Sequence, residues 1–501
     1  MMAEPDRLTA LDATFLELEE ADESAHMHIG AVMICEARPG GAAPPIDHVR
    51  QETLARLGGL PRYRHRLSEP RTGGLRWPAW EPDPHFEIAN HVRADGLPAP
   101  ADTDALREWA GDYFSIRLDR SRPLWELVVL ELSDGRWVMV SKTHHALVDG
   151  VGSVDAAKVL LDVDPNGRPE GLEPPADESP ARDAGPGSGD PGLSLSRLAS
   201  IPVRLAGRAL HLASVTLSTA AHGLGHATDP HWLAGALRES KAVLEVLIRD
   251  ELDAAPRTSI NKPIGAHRRL GIVEVQLADL KRIRASLGGT VNDAVLAAAT
   301  GGLRELLISR GEELPTEGLR AMVPVNIRPA AERLALGNQI TSLFVHLPVA
   351  IGERAERFKH QLEEAEGLKS STQAEGSRGL IEAAGMAPPV LHSFLARSLF
   401  ASRLFNVTVT NVPGPQVPLY AVGSEVEEIW PVVPLAAEHA VGIAVLSYNG
   451  SVYFCLNCDH DSVTDLEVLR GAIETEISDL LELASKAAGS DDVVAGSAKA
   501  G

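Results

Sequence analysis

A stretch in the middle of the chain restricts the possible folds more than any other part of it. Residues 164 to 192 read DPNGRPEGLEPPADESPARDAGPGSGDPG, dominated by Pro, Gly, acidic and small residues. Such a run carries too little apolar surface to offset the entropy of ordering it, so it is expected to be a disordered linker. With 501 residues and 44% hydrophobic content, the chain exceeds one ordinary core and can build two. The expected organisation is an N-terminal domain over residues 6–163, then a linker and amphipathic helical crossover over 164–256. A C-terminal domain over 257–486 follows, and a small, acidic, disordered tail closes the chain over 487–501.

Beyond the linker, residues 193–227 contain no Asp or Glu, while Arg197, Arg204 and Arg208 interrupt Leu, Val, Ile and Ala. This composition suits either an interfacial helix with basic groups turned to lipid headgroups or a helix packed on the protein's own surface. The net charge of -22 argues against a nucleic-acid partner and against polybasic attachment to anionic lipid. Cys35, Cys455 and Cys458 make no disulfide framework, and the start MMAEPDRLTA lacks an apolar signal core, so a cytoplasmic chain is expected. No run approaches the roughly 18 apolar residues that cross a bilayer. Cys455-Leu456-Asn457-Cys458 has a redox or metal spacing, but it falls in the return strand of an expected Asn449-Gly450 hairpin. An offset of three in a strand sends the two thiols to opposite faces, which points to a structural role.

The residues best placed for chemistry are His144-His145-Ala146-Leu147-Val148-Asp149-Gly150. Upstream, PLWELVVLEL and WVMVSK read as two strands joined at Ser133-Asp134-Gly135-Arg136, and downstream Val154, Ala157, Val159 and Leu160 begin a helical apolar face. The two histidines therefore sit where a strand ends. If the strand's period of two continues, they point to opposite faces and only one reaches a given substrate. A neutral imidazole, with a pKa near ~6.5, can accept a proton from an attacking alcohol or thiol, so no nucleophilic side chain is required. Asp149 is expected to anchor the turn through an arginine, and Gly150 to allow a backbone path that a side chain would block. The competing readings are a satisfied core pair and a metal site, although no second His/Cys cluster has ligand spacing.

In the second half, Gly288-Gly289-Thr290 precedes an apolar-periodic run from Val291 to Leu307, with Thr290 as N-cap and Asp293 completing a capping box. Asp293 can thus be structural. Asn292 is not needed for capping, and its carboxamide could orient a substrate carbonyl or hold the facing His turn.

HHxxxDG resembles the motif of the CoA-dependent acyltransferase superfamily. Further blocks narrow the likeness to the bacterial wax ester synthase/diacylglycerol acyltransferase family: Leu11-Asp12-Ala13-Thr14-Phe15-Leu16, Met27-His28-Ile29-Gly30, Leu118 to Glu126, Thr290-Val291-Asn292-Asp293 and Met322 to Arg328. Leu336-Gly337-Asn338-Gln339, Asn411-Val412-Pro413-Gly414-Pro415 and Ser447-Tyr448-Asn449-Gly450 complete the set, in family order. The resemblance implies a fold of α/β class: two domains of chloramphenicol-acetyltransferase type with the active site in a channel between them. It implies His145 as the base, His144, Asp149 and Gly150 as the rest of the motif, and a supporting role for Asn292 and Asp293. By similarity to plant acyltransferases Arg328 would hold Asp149, in competition with Arg117, Arg120 and Arg122. The implied reaction moves a long-chain acyl group from acyl-CoA, a substrate rather than a cofactor, to diacylglycerol or a fatty alcohol. It needs no metal and no acyl-enzyme, and a local basic patch could meet the CoA phosphates. A peripheral membrane or lipid-droplet surface is the implied workplace, at the inner membrane face or on droplets in the cytoplasm. Three other readings remain open: a condensation or polyketide-directed acyltransferase, a noncatalytic lipid-droplet protein, and a metal-dependent hydrolase.

Overall fold

The structure is a computed structural model of the chain, and residues 6–8, 10–69, 77–147, 160–166, 254–326, 340–370 and 404–498 are described. Most of the expected linker, the acid-free segment 193–227, and Asp149, Gly150 and Arg328 lie outside them. In the N-terminal half the main elements are β1 (Asp6–Arg7), α1 (Ala10–Ala21), β2 (His28–Cys35), α2 (Ile46–Arg56), β3 (His65–Leu67) and β4 (Ala79–Pro82). They continue with β5 (Val92–Ala94), α3 (Thr103–Phe114), β6 (Trp125–Glu131) and β7 (Trp137–His144). The second half contributes β8 (Arg268–Gln276), α4 (Leu277–Leu287), α5 (Val291–Ser309), β9 (Leu319–Asn326), β10 (Ile340–Leu347) and α6 (Arg354–Ser370). It ends with β11 (Val407–Pro413), β12 (Tyr420–Ala421), β13 (Ser424–Val432), β14 (Val441–Tyr448), β15 (Ser451–Asp459) and α7 (Leu466–Ala498).

Both expected hairpins form. Gly135, at φ 89°, turns β6 into β7, and the Leu132 N–H donates to the Arg136 carbonyl at 2.9 Å. Asn449 and Gly450, at φ 44° and 90°, supply the two left-handed residues that a type I′ turn between β14 and β15 requires. The strands assemble into two six-stranded sheets, ordered β12-β13-β2-β7-β6-β5 and β10-β9-β11-β14-β15-β8, beside a small β1-β4-β3 sheet. The first sheet is not built from the N-terminal half alone. β13 crosses over from the second half and pairs antiparallel with β2, Trp430 opposite Val32 and Val432 opposite Gly30.

Two hydrophobic cores follow from this arrangement. The first packs α3 against β2, β6, β7 and Trp430, and the second packs α5 and α7 against β9, β11, β14 and β15. β15 serves both: Tyr453 and Cys455 enter the first core, while Val452, Phe454, Leu456 and Cys458 enter the second. Full burial of a side chain such as Phe454 or Leu456 is worth roughly 1.5–3 kcal/mol. The opposite facing of Cys455 and Cys458 is the one their spacing predicts, and burial pushes both thiols well above the usual range.

Small residues set the close approaches. The Phe114 ring lies over Gly30, where an added Cβ would come within 2.2 Å of the Ser141 carbonyl and 2.6 Å of the ring. Beside it, buried Lys142 donates to the carbonyls of Tyr113 and Ile116 at 3.0 and 2.9 Å, capping the C-terminal end of α3 with a positive charge. On α5, a Cβ at Gly301 would meet the Glu476 side chain of α7 at 2.5 Å. That carboxylate takes both of its oxygens to Arg357 at 2.8 Å and a further 2.8 Å bond from Arg354. One expectation needs correcting: the tail expected from residue 487 continues as helix to Ala498. Extending an already formed helix adds a hydrogen bond per residue without a new nucleus, so even residues of modest helix propensity can continue it where polarity alone suggested disorder.

Candidate active site

β7 delivers the two histidines and its neighbours hold their backbones. The His144 N–H donates to the Leu124 carbonyl at 2.9 Å, and the His145 N–H donates to the Met27 carbonyl at 2.8 Å. The Pro123-Leu124-Trp125 block thus supports His144, and the approach to β2 supports His145. Trp125 is itself fixed, its Nε1 donating to the Tyr63 carbonyl at 2.8 Å and its ring stacking on His91 at 4.7 Å.

The two imidazoles differ in what they can do. Buried His144 accepts the Ala146 N–H at Nδ1, at 3.0 Å, so the neutral ring carries its proton on Nε2. That nitrogen lies 3.4 Å from Glu19 Oε2, which leaves His144 without a free lone pair for a substrate. His145 is half-buried and stacks on Phe15, centroids 3.8 Å apart and planes 16° from parallel. Burial holds its pKa down, to about 4, so the ring is neutral over the physiological range and able to take a proton. Phe15, Leu18, Ala25 and Met27 form a small apolar cluster that makes this floor.

Glu19 is the residue that reading the sequence missed. It is 2% exposed, yet four side chains converge on it. Arg120 donates to Oε2 through Nε and Nη2 at 3.1 and 2.7 Å, and Arg117 reaches the backbone carbonyl and sits 3.6 Å from Oε1. His144 and His28 approach the carboxylate at 3.4 and 3.5 Å. Burial by itself would raise the Glu19 pKa, but His144, His28 and Arg120 outweigh it and hold the carboxyl well below the usual range. A signal was available: on α1, Asp12, Leu16 and Glu19 fall at helical spacing on one buried face, and a carboxylate on such a face needs a partner. Arg117 and Arg120, expected to compete for Asp149, serve Glu19, and Arg122 pairs with Asp119 at 3.4 Å. Glu19→Gln keeps the shape but removes the charge. Its expected cost is about 2–3 kcal/mol, below the ~3–5 kcal/mol of a fully buried pair because Arg120 is partly exposed. Denaturant unfolding of the variant at pH 7.5 measures this, and an unchanged midpoint would contradict it.

The Asn-Asp pair opens α5. Asp293 Oδ2 accepts from Thr290 N and Oγ1 at 2.8 and 2.7 Å, and Thr290 Oγ1 accepts the Asp293 N–H at 3.3 Å, a complete capping box. Asn292 Oδ1 accepts from Asn411 Nδ2 at 3.2 Å, which joins this helix start to the Asn411-Val412-Pro413-Gly414-Pro415 block on β11. Among the described residues no hydrogen bond links either side chain to His144 or His145. Asp149, Gly150 and Arg328 lie outside those residues, so their expected roles have no geometry here.

Comparison with known proteins identifies the surroundings of this site. The family model of the wax ester synthase/diacylglycerol acyltransferase catalytic domain matches residues 8–295, and that of the corresponding C-terminal domain matches residues 336–481. A Mycobacterium tuberculosis protein named as a diacylglycerol O-acyltransferase is 31% identical over 96% of this chain and 96% of its own. A second from the same organism is 31% identical over 94% and 97%. Among solved structures, the wax ester synthase/diacylglycerol acyltransferase of Marinobacter aquaeolei superposes with a TM-score of 0.65 at 24% identity, covering 96% of this chain and all of that one. The first condensation domain of the calcium-dependent antibiotic synthetase gives 0.57 at 17% identity, covering 96% of each. These likenesses bear out the expected two-domain α/β fold of chloramphenicol-acetyltransferase type.

Proposed function

The chain belongs to the wax ester synthase/diacylglycerol acyltransferase family, and from that premise we propose that it transfers a long-chain acyl group from acyl-CoA to the hydroxyl of diacylglycerol or of a fatty alcohol, with His145 as general base. The observation that carries the reading is the contrast between the two imidazoles: His144 is buried, its Nδ1 taken by the Ala146 N–H and its Nε2 turned to Glu19 at 3.4 Å, whereas His145 is neutral and partly exposed beside it. Among the described residues Nδ1 of His145 is buried with no hydrogen-bond partner, which leaves Nε2 as the nitrogen to meet the acceptor.

In the proposed reaction Nε2 takes the acceptor's hydroxyl proton as the oxygen attacks the thioester carbonyl. The tetrahedral oxyanion collapses, the C–S bond breaks, and the imidazolium returns the proton to the departing CoA thiolate. Asp149 and Gly150 would shape the turn below the base, Arg328 would hold Asp149, and Asn292 and Asp293 would brace the facing helix start. Because the thioester is already activated, a base and positioning suffice, and both substrates are bound together. Cys35, Cys455 and Cys458 are all buried, and burial pushes their thiols up, which supports direct transfer over a thiol intermediate.

The test uses purified full-length protein, palmitoyl-CoA, and either dioleoylglycerol or hexadecanol. Thiol release is expected only when an acceptor is present, and the intact mass of enzyme given palmitoyl-CoA alone should not change. A stoichiometric acyl adduct discharged by added alcohol would overturn direct transfer, and no acceptor-dependent release would overturn the activity. Among the described residues no helix is long and apolar enough to cross a membrane. We assign peripheral lipid association to residues 193–227, and flotation with liposomes that is unchanged on deleting them would overturn that.

A further inference from the structure

The backbone on which His145 rests is clamped from the other half of the molecule. The loop between α1 and β2 accepts the His145 amide at the Met27 carbonyl, 2.8 Å away. On one side this loop packs through Ala25 and Met27 onto Phe15 and Leu18 of α1. On the other it meets Arg268, the first residue of β8, whose Nη2 donates to the Ser24 carbonyl. Arg268 is 3% exposed, and its Nη1 donates to the carbonyls of Gly265 and His267 at 2.6 and 3.0 Å, with Asp459 Oδ1 at 3.9 Å. Its backbone N–H donates to Ser115 Oγ at 2.8 Å, and α3 passes so close that a Cβ added at Gly111 would come within 2.8 Å of the Arg268 carbonyl. One buried guanidinium therefore ties the second sheet to the loop that carries the base.

We propose that Arg268 is a positioning residue for acyl transfer: from the second sheet it fixes the Ser24 to His28 loop, and through the Met27 carbonyl it sets the placement of His145. This rests on His145 being the base. An arginine suits the task because its rigid fork spans several carbonyls at once, whereas a lysine reaches fewer. Arg268 does not touch His145, so its removal should loosen the base rather than delete it. A displacement on the ångström scale costs up to about 100-fold in rate.

The test measures kcat and KM for palmitoyl-CoA, per folded protein, across pH for Arg268→Met, Arg268→Lys and Ser115→Ala, with His145→Ala as control. Arg268→Met is expected to lower kcat by about 10- to 100-fold with KM within twofold. The acid limb of its kcat profile should move to higher pH, because a loosened His145 gains water and its pKa returns toward ~6.5. Among the described residues His144 is the titratable group that acts on His145, and it is unaltered in all the Arg268 and Ser115 variants. Arg268→Lys should recover part of both changes. Ser115→Ala should show a smaller shift in the same direction, and it carries the test if Arg268→Met does not fold. A merely structural role would reduce the folded fraction and leave the acid limb in place, and that result would overturn the proposal. If His145→Ala itself kept its rate, the assignment of the base would fail instead, which separates the two.

Discussion

Replacing His145 by Ala should lower kcat by about 10²–10⁴-fold, the usual contribution of a general base, with little loss of stability. The residue is only partly buried, and the contact described for its ring is the stacked Phe15, so truncation forfeits about 0.5–1.5 kcal/mol of stacking. His144→Ala should behave the other way round. Its ring is 1% exposed, accepts a backbone N–H and faces Glu19, so removing it leaves a buried carboxylate short of a partner and costs of order 3 kcal/mol. Measurable turnover should nevertheless remain in the folded fraction. Steady-state kinetics and denaturant unfolding of both variants separate the two roles. Equal residual kcat in two well-folded variants would dissolve the assignment of the base.

Acidification from pH 7 to 4 should destabilise the fold by several kcal/mol, with the loss beginning near pH ~6.5, before carboxylates in general titrate. Six histidines, His26, His28, His91, His144, His145 and His439, have pKa values lowered chiefly by burial, His26 to about 4. In the unfolded chain each takes up a proton near pH 6.5, whereas the folded protein resists it. Stability is therefore complete above that pH and declines as pH falls toward the folded values. His26 alone, nearly buried, contributes on the order of 3 kcal/mol. Glu19 acts in the same direction further down, since its carboxyl is held ionised in the fold and the unfolded chain protonates first, near ~4.3. Urea midpoints at pH 7.5, 6 and 5 should fall steadily. A flat line between pH 7 and 5 would show that these rings are hydrated in the folded state.

Whatever depends on near neighbours in the sequence was legible in it. The Asp134-Gly135 and Asn449-Gly450 turns, the Thr290–Asp293 capping box and the opposed faces of Cys455 and Cys458 each follow from a local rule about φ, capping or strand period. The order of the motif blocks carried the fold. Glu19 was not found because its meaning lies in partners about 100 residues away, Arg117, Arg120 and His144, which only the packing of α1 against β2 and β7 brings together. Arg268 was hidden for the same reason, since the carbonyl it holds is 244 residues distant. The crossing of β13 into the first sheet had no local mark either, because a strand's sequence specifies its faces and not its neighbour.

That crossing has a bearing on synthesis. β7 leaves the ribosome about 280 residues ahead of β13, and β2 about 390, so at ~5–20 residues per second the free edge of the β2–β7 pair waits roughly 15–60 s for its partner. During that interval Gly30 to Cys35 offers open N–H and C=O groups beside an apolar surface, an edge on which another nascent chain can pair. An N-terminal fragment made alone would keep that edge permanently open and should aggregate. Supplying residues 420–432 in trans as a donor strand should rescue it, much as a missing subunit would.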